Sequence, residues 1–180
     1  MATVIGARGA DGVCLIGDHR VRGSDDSIRD SVDHVFSFEE AILGVVGPPH
    51  AMQEFQQRTR EAVRSYTLER DAPISRAAYR EILRDAATRN GIDCLGATRA
   101  DDGMATLIEV DRTGSVYEPP MAAIGTGAQL ARGALENIDR TQPVRALTTA
   151  LEDIMAVVAQ RDAETSDTTN VVTVRDRTTE

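Results

Sequence analysis

The sequence predicts an α+β fold, a four-layer αββα sandwich in which two antiparallel sheets lie between two layers of helices. The order of predicted elements is the first reason: strands, two helices, strands, two helices and a last strand, which does not fit alternating β-α-β units. Composition is the second, because a chain of 180 residues with 41% apolar residues can bury a core. Only 3% of the residues are aromatic, so this core is aliphatic. We expect a single domain over residues 1–180.

The first half of the chain carries signals for two hairpins and two helices. Asp11-Gly12 favours a tight turn between the first two strands, and Pro48-Pro49 occupies the first positions of a helix, where proline is tolerated. Pro73 ends that helix. Ser75 is a typical N-cap for the next helix, which stops at Asn90-Gly91. The predicted strands are Val4–Arg8, Val13–Asp18, His34–Phe38 and Ala41–Val46, with a charged loop over Arg22–Asp33.

The second half of the chain shows further strands around two more helices. Gly125-Thr126-Gly127 leads into a helix through Leu130, Ala134 and Ile138. Pro143 starts the last helix, and apolar residues recur on one face of it. The predicted strands are Ile92–Thr98, Met104–Val110, Ser115–Tyr117, Met121–Ile124 and Thr169–Arg175.

Charge and cysteine content limit the classes of function. The net charge is −9, and all 20 basic residues are arginine, which argues against a nucleic-acid partner. An acidic surface without lysine suits either a high-salt cytoplasm or a strong codon bias, and both readings stay open. No apolar run is long enough to span a membrane, and no signal peptide is evident. Cys14 and Cys94 lie in apolar strands, so we expect buried, reduced thiols and a cytoplasmic protein.

Five short motifs, in order along the chain, resemble the β-type subunits of the proteasome, which belong to the N-terminal-nucleophile hydrolases. The first motif is the opening strand pair with Gly6, Asp11-Gly12 and Asp18. The others are VFSF with Gly47, SYTLERDAPIS, GTG at 125–127, and QRDAET at 160–165. No helix is predicted before the first strand, which makes the chain similar to β subunits and not to α subunits. The resemblance implies the same αββα sandwich.

The resemblance also implies a catalytic group. In this family a threonine at the start of the mature chain attacks the peptide bond. Its own α-amine, with a pKa of about 8, acts as the base. Aligned without gaps, the nucleophile position falls on Ala2, the orienting carboxylate on Asp18 and the basic residue on His34. The oxyanion N–H falls on Gly47. The group that holds the amine falls on Thr126, Asp162 and Thr165.

Substrate and partners follow from the same resemblance. Peptide or unfolded protein would bind along Val21, Arg22, Val45, Val46 and Gly47. We expect a homo-oligomeric ring, with other proteasome subunits as further partners. The resemblance implies no metal or organic cofactor, and no cluster of residues has metal-ligand spacing. His19 and His50 match no role, and a lone Gly-Thr-Gly is a weak signal for phosphate.

Two departures from the family pattern bear on activity. Ala2 keeps an amine once Met1 is removed but has no hydroxyl, and His34 replaces the usual lysine. The chain is therefore expected to be catalytically silent as it stands. Two alternatives remain open: an active threonine peptidase whose nucleophile was changed to Ala2 or lies at Thr3, and a peptide-binding ring without proteolysis. Thr3 fits less well, because it is one residue too close to Asp18 and neighbouring strand residues point to opposite faces.

Overall fold

Two antiparallel sheets form the centre of the protein in the computed structural model, which describes residues 2–23 and 25–177. The first sheet has the strand order β10-β1-β2-β11. Its members are β1 (Thr3–Gly9), β2 (Gly12–Asp18), β10 (Met121–Gly125) and β11 (Thr169–Arg175). The second sheet runs β5-β6-β7-β8-β9. Its members are β5 (Val35–Phe38), β6 (Ala41–Val46), β7 (Asp93–Arg99), β8 (Ala105–Val110) and β9 (Val116–Tyr117).

One pair of helices covers the outer face of each sheet. Helices α1 (Pro49–Arg70) and α2 (Arg76–Asn90) pack on the second sheet, and α3 (Ala128–Leu135) and α4 (Val144–Ala159) pack on the first. Within the described ranges, no helix is both long and apolar enough to cross a membrane. The layers follow the predicted order, so the αββα sandwich is confirmed.

Local sequence explains where α2 begins and ends. The Ala78 N–H donates to the Ser75 hydroxyl at 3.2 Å, so Ser75 is the expected N-cap. Gly91 closes the helix with φ of 64°, a left-handed conformation that glycine adopts without a Cβ penalty.

Residues of β1 and β2 are buried on both faces, because they lie in a central layer. Val4 and Leu15 point into the core between the sheets. Ile5 and Ile16 point the other way, into the core beneath α3 and α4. Even-numbered positions at the start of β1 therefore face the second sheet, and odd-numbered positions face the helices.

Both cysteines are free and buried, in separate parts of the core. Cys14 packs beneath α3 and α4, whereas Cys94 packs beneath α1 and α2. Burial raises the pKa of the Cys14 thiol to about 11 and also raises that of Cys94. Neither thiol is therefore suited to act as a nucleophile near neutral pH.

The structure differs from the sequence prediction in two segments. The charged loop over residues 22–33 contains part of a small hairpin, β3 (Arg20–Arg22) with β4 (Ile28–Asp30), which pairs with neither large sheet. Its strands are too short and too charged to give an apolar pattern. The helix predicted through Ile138 ends at Leu135, because the following N–H groups bond three residues back and tighten the chain into turns.

Candidate active site

The candidate site lies where β1 begins, next to the ends of β2, β6 and β10. Ala2 is 1% exposed, and its carbonyl oxygen accepts a hydrogen bond from the Thr126 N–H at 3.2 Å. Gly125 has φ of 97°, and a Cβ atom there would collide with the Ala2 carbonyl oxygen. Glycine at 125 therefore lets the start of β1 lie directly against the end of β10.

A directed chain of hydrogen bonds begins at the second glycine of the Gly-Thr-Gly motif. The Gly127 N–H donates to the Thr3 hydroxyl at 2.9 Å, and that hydroxyl lies 2.7 Å from the Thr165 hydroxyl. Thr165 in turn donates to the Asp162 carboxylate at 2.6 Å. Because the Thr165 proton goes to Asp162, the Thr3 hydroxyl donates to Thr165. A Cβ at Gly127 would displace the Thr3 hydroxyl, so this glycine makes room for it.

Asp162 links the other two residues that the sequence assigned to the amine pocket, Thr126 and Thr165. Its Oδ2 atom accepts hydrogen bonds from Thr165 and from Thr126, the latter at 2.7 Å, and its Oδ1 atom accepts from the Glu164 N–H at 3.1 Å. Burial alone would raise the pKa of Asp162, but hydrogen bonds from the two threonine hydroxyls and the Glu164 N–H lower it, and the net effect is a lowered pKa. The pocket therefore holds a charged carboxylate beside the start of β1.

Asp18 ties three segments of backbone together at the end of β2. Its carboxylate is buried and accepts the Thr3 N–H at 3.0 Å and the Ser166 N–H at 2.6 Å. Burial raises the pKa of Asp18, and these N–H groups and nearby His34 offset only part of that rise. Asp18 thus fixes the position of β1 relative to the loop after α4.

His34 connects the small hairpin to the second sheet. Its ring is 1% exposed, with Nδ1 at 3.1 Å from the Val45 carbonyl oxygen and Nε2 at 3.1 Å from the Arg20 carbonyl oxygen. Gly17 makes room for this arrangement, because a Cβ there would lie 3.1 Å from the His34 Cβ. Among the described residues, those two carbonyl groups are the hydrogen-bond partners of the ring.

The residues assigned to substrate and oxyanion binding are placed at the end of β6 and on β3. Gly47 follows β6 and is buried, and a Cβ there would meet the Ile92 side chain at 2.8 Å. Val46 shares the core between the sheets with Ala2, whereas Val45 packs under α1 and α2. Their roles toward a peptide stay predictions.

The small hairpin carries the other two positions assigned to substrate binding. Val21 is half-buried at its centre, and exposed Arg22 pairs with Glu164. The roles of Val21 and Arg22 in peptide binding also stay predictions.

Sequence reasoning missed the residues that hold the loop after α4. Arg20 makes a bidentate pair with Asp30 at 2.8 and 3.0 Å, and it also donates to the carbonyl groups of Ala163 and Thr165. The Ser166 hydroxyl donates to the same Asp30 at 3.1 Å. The opposite charges of Arg20 and Asp30, in two short polar segments, were the one sequence signal that these segments pair.

The remaining histidines lie outside this group. His50 is exposed at the start of α1, and His19 is half-buried beside Asp33 at 3.3 Å. Across residues 2–23 and 25–177, no cluster of histidine, cysteine, aspartate or glutamate has a geometry suited to a metal ion.

Comparison with known proteins identifies the family of this chain. A sequence profile of the family described as proteasome subunit matches residues 1–174. The chain is 29% identical over 142 residues to proteasome subunit beta 2 of Korarchaeum cryptofilum (strain OPF8), covering 76% of this chain and 72% of the relative. It is 30% identical over 142 residues to proteasome subunit beta 1 of Hyperthermus butylicus (strain DSM 5456 / JCM 9403 / PLM1-5), covering 76% and 70%. The chain belongs to the proteasome subunit family, in its β-type branch.

Proposed function

We propose that this chain is a catalytically silent β-type subunit that helps to build the wall of a ring-shaped proteolytic complex. One observation carries the proposal: hydrogen bonds join Thr126, Asp162 and Thr165, while the position that the resemblance gives to the nucleophile holds Ala2. Peptide cleavage by this family's route needs an oxygen that adds to the peptide carbonyl, forms an ester and releases the amine. The Ala2 methyl group has no such oxygen.

Thr3 is poorly placed to take over as the nucleophile. Its side chain is fully buried and points toward α4, on the opposite side of β1 from Ala2. The hydroxyl accepts from Gly127 and donates to Thr165, while the Thr3 N–H is bound by Asp18. Neither the oxygen nor the nitrogen of Thr3 is free to perform chemistry in the cleft.

His34 is equally committed to structure. A basic residue activates a nucleophile only if its proton-bearing atom can face that nucleophile. Both ring nitrogens of His34 instead meet the carbonyl groups of Val45 and Arg20. The residue at the usual lysine position therefore fastens the β3–β4 hairpin, which supports a structural reading of the whole site.

Retention of the pocket is explained by its role in folding. Asp18 and Thr165 bind β1 to the loop after α4 through buried hydrogen bonds that cost stability when broken. Leu130 on α3 and Val157 on α4 are large apolar side chains with 41% and 46% exposure. In the proposed ring, contact with a further subunit would cover both side chains, which lie on the same layer of helices.

The test introduces the threonine hydroxyl and the lysine that the family pattern contains, and compares this variant with one that has valine in place of the threonine. The double variant Ala2→Thr/His34→Lys should cleave fluorogenic peptides. Ala2→Val/His34→Lys, which has the shape of threonine without the hydroxyl, should not. The unmodified protein should show no turnover, and its intact mass should not change with an electrophile selective for N-terminal threonine.

Two results would overturn the proposal. Turnover by the unmodified protein that disappears in Thr3→Val would make Thr3 the nucleophile and the chain a live peptidase. Sedimentation as a monomer, both alone and when co-expressed with the other proteasome subunits of the same cell, would remove the role in a ring.

A further inference from the structure

A groove lies on α1 beside the ends of β5 and β6 that are farther from the candidate active site. It runs between the C-terminal half of α1 and the turn that joins β5 to β6, with a volume of about 470 Å³. We call it the Leu68 groove. Its walls are formed by Phe38, Glu39, Arg60, Val63, Arg64 and Leu68.

The apolar part of the groove is unusual for this surface. Leu68 is 72% exposed, the highest value among the large apolar residues of the described chain. It stands beside Phe38 and Val63, which are buried and form an apolar floor. A single exposed leucine needs no explanation, but one that borders a concave apolar surface is typical of a binding site.

Two of the three charged side chains in the groove are basic, Arg60 and Arg64, and the third is Glu39, although the protein as a whole has a net charge of −9. Arg60 stacks over the Phe38 ring, with 5.5 Å from its guanidinium carbon to the ring centre. Neither Arg60 nor Arg64 pairs with a carboxylate within the described part of the chain. Arg58, on the same helix, does pair with Glu54 at 2.7 Å. Like charges four residues apart on a helix repel, so the helix carries two uncompensated cations at this groove.

We propose that the Leu68 groove binds a segment of a partner protein in which leucine-like side chains are flanked by carboxylates. The apolar side chains would pack on Phe38, Val63 and Leu68, and the carboxylates would pair with Arg60 and Arg64. Charge complementarity selects this occupant, since the two guanidinium groups gain the counter-ions that the chain itself does not supply.

The position of the groove keeps this contact apart from the cleft. β5 starts beside His34 and ends at Phe38, and β6 starts at Ala41 and ends beside Gly47. The β5–β6 turn is therefore one strand length away from the candidate active site. A partner in the Leu68 groove leaves the cleft open, and the inference does not depend on whether the subunit is catalytic.

The test uses three fluorescein-labelled peptides and the intact protein. The first is Gly-Ser-Gly-Ser-Asp-Leu-Leu-Glu, the second replaces both acids with their amides, and the third replaces both leucines with serine. In fluorescence anisotropy, the first should bind about ten-fold more tightly than either of the others. Its advantage over the amide peptide should shrink as salt screens the charges.

Matched variants on exposed positions separate the groove from the rest of α1. Arg60→Gln/Arg64→Gln should weaken binding of the acidic peptide by about ten-fold, and Leu68→Ser should do the same. Arg58→Gln/Arg70→Gln removes the same charge from the same helix outside the groove and should change binding by less than about two-fold.

Three outcomes would overturn the proposal. The first is the absence of binding up to about 1 mM peptide. The second is equal binding of the acidic and amide peptides, or an equal loss in the control variant. The third is a change in the sedimentation of the protein alone with Leu68→Ser while no peptide binds, which would make a second copy of this chain the occupant.

Discussion

The Thr3 hydroxyl lies 2.7 Å from the Thr165 hydroxyl, deep in the protein and on the opposite side of β1 from Ala2. It is the central link in a chain of hydrogen bonds from the Gly127 N–H to the Asp162 carboxylate. Thr3, the neighbour of Ala2 in sequence, is thus part of the framework of the candidate site.

Replacement of Thr3 by valine tests this link. Valine keeps the shape but leaves the Gly127 N–H without an acceptor, so we expect a loss of about 1–3 kcal/mol in the free energy of unfolding. Thr3→Ser keeps the hydroxyl and should cost less. Denaturant unfolding at one protein concentration measures both, and a Thr3→Val protein as stable as the unchanged chain would refute the framework role.

The two glycines Gly125 and Gly133 give opposite predictions for the same substitution. Gly125→Ala places a Cβ against the Ala2 carbonyl oxygen at a left-handed backbone conformation, so it should displace the start of β1 and lower stability severely. Gly133 lies inside α3 with open space around it. There alanine should be neutral or stabilising, by up to about 1 kcal/mol. Thermal unfolding of both variants distinguishes them, and equal effects would contradict the close contact at Gly125.

The carboxyl of Asp111 provides a prediction about pH. A hydrogen bond from the Thr113 hydroxyl, with help from backbone N–H groups in the same turn, lowers its pKa from 3.8 to about 2. As the pH falls, Asp111 is therefore protonated in the unfolded chain at a higher pH than in the folded chain. The stability from Asp111 is fully present above about pH 4 and is lost as the pH falls toward 2.

In Asp111→Asn this contribution is missing, so the difference in stability from the unchanged protein should be largest near neutral pH. That difference should narrow between about pH 4 and 2. Denaturant midpoints over this range measure it, and a difference that does not change with pH would exclude the lowered pKa.

Both thiols should be unreactive while the protein is folded. Burial raises the pKa of Cys14 to about 11, so at about pH 8 it is protonated and inaccessible, and Cys94 is more deeply enclosed. Intact mass after treatment with iodoacetamide should show no adduct in the native protein and two adducts after unfolding. An adduct on the native chain would mean that one of these strands opens.

Local patterns predicted most of the fold, and the exceptions have physical causes. Alternation along the sequence predicts the last strand, Thr169–Arg175. The backbone preference of glycine predicts the helix end at Gly91. Both signals can be read from a short segment alone. The β3–β4 hairpin was missed because its pairing rests on Arg20 and Asp30 instead of an apolar stripe. Local signals cannot reveal a contact across 124 residues of chain, such as that between Gly127 and Thr3.

Motif positions grouped three residues that hydrogen bonds join in the structure, but the role of each assigned residue stays a prediction. Thr126, Asp162 and Thr165 do come together. The two carbonyl partners of His34 could not be predicted, because they depend on the positions of β3 and β6 in space.

The opposite orientations of Ala2 and Thr3 have a consequence for how such a subunit arises. Under the proposed function, side chains on one face of β1 maintain the folded architecture, and the residue on the other face decides whether bonds can be cut. A lineage would then lose catalysis at residue 2 while selection for stability continued to preserve the neighbouring pocket. The same separation would keep the loss reversible, because the scaffold for the reaction would survive as long as the subunit had to fold.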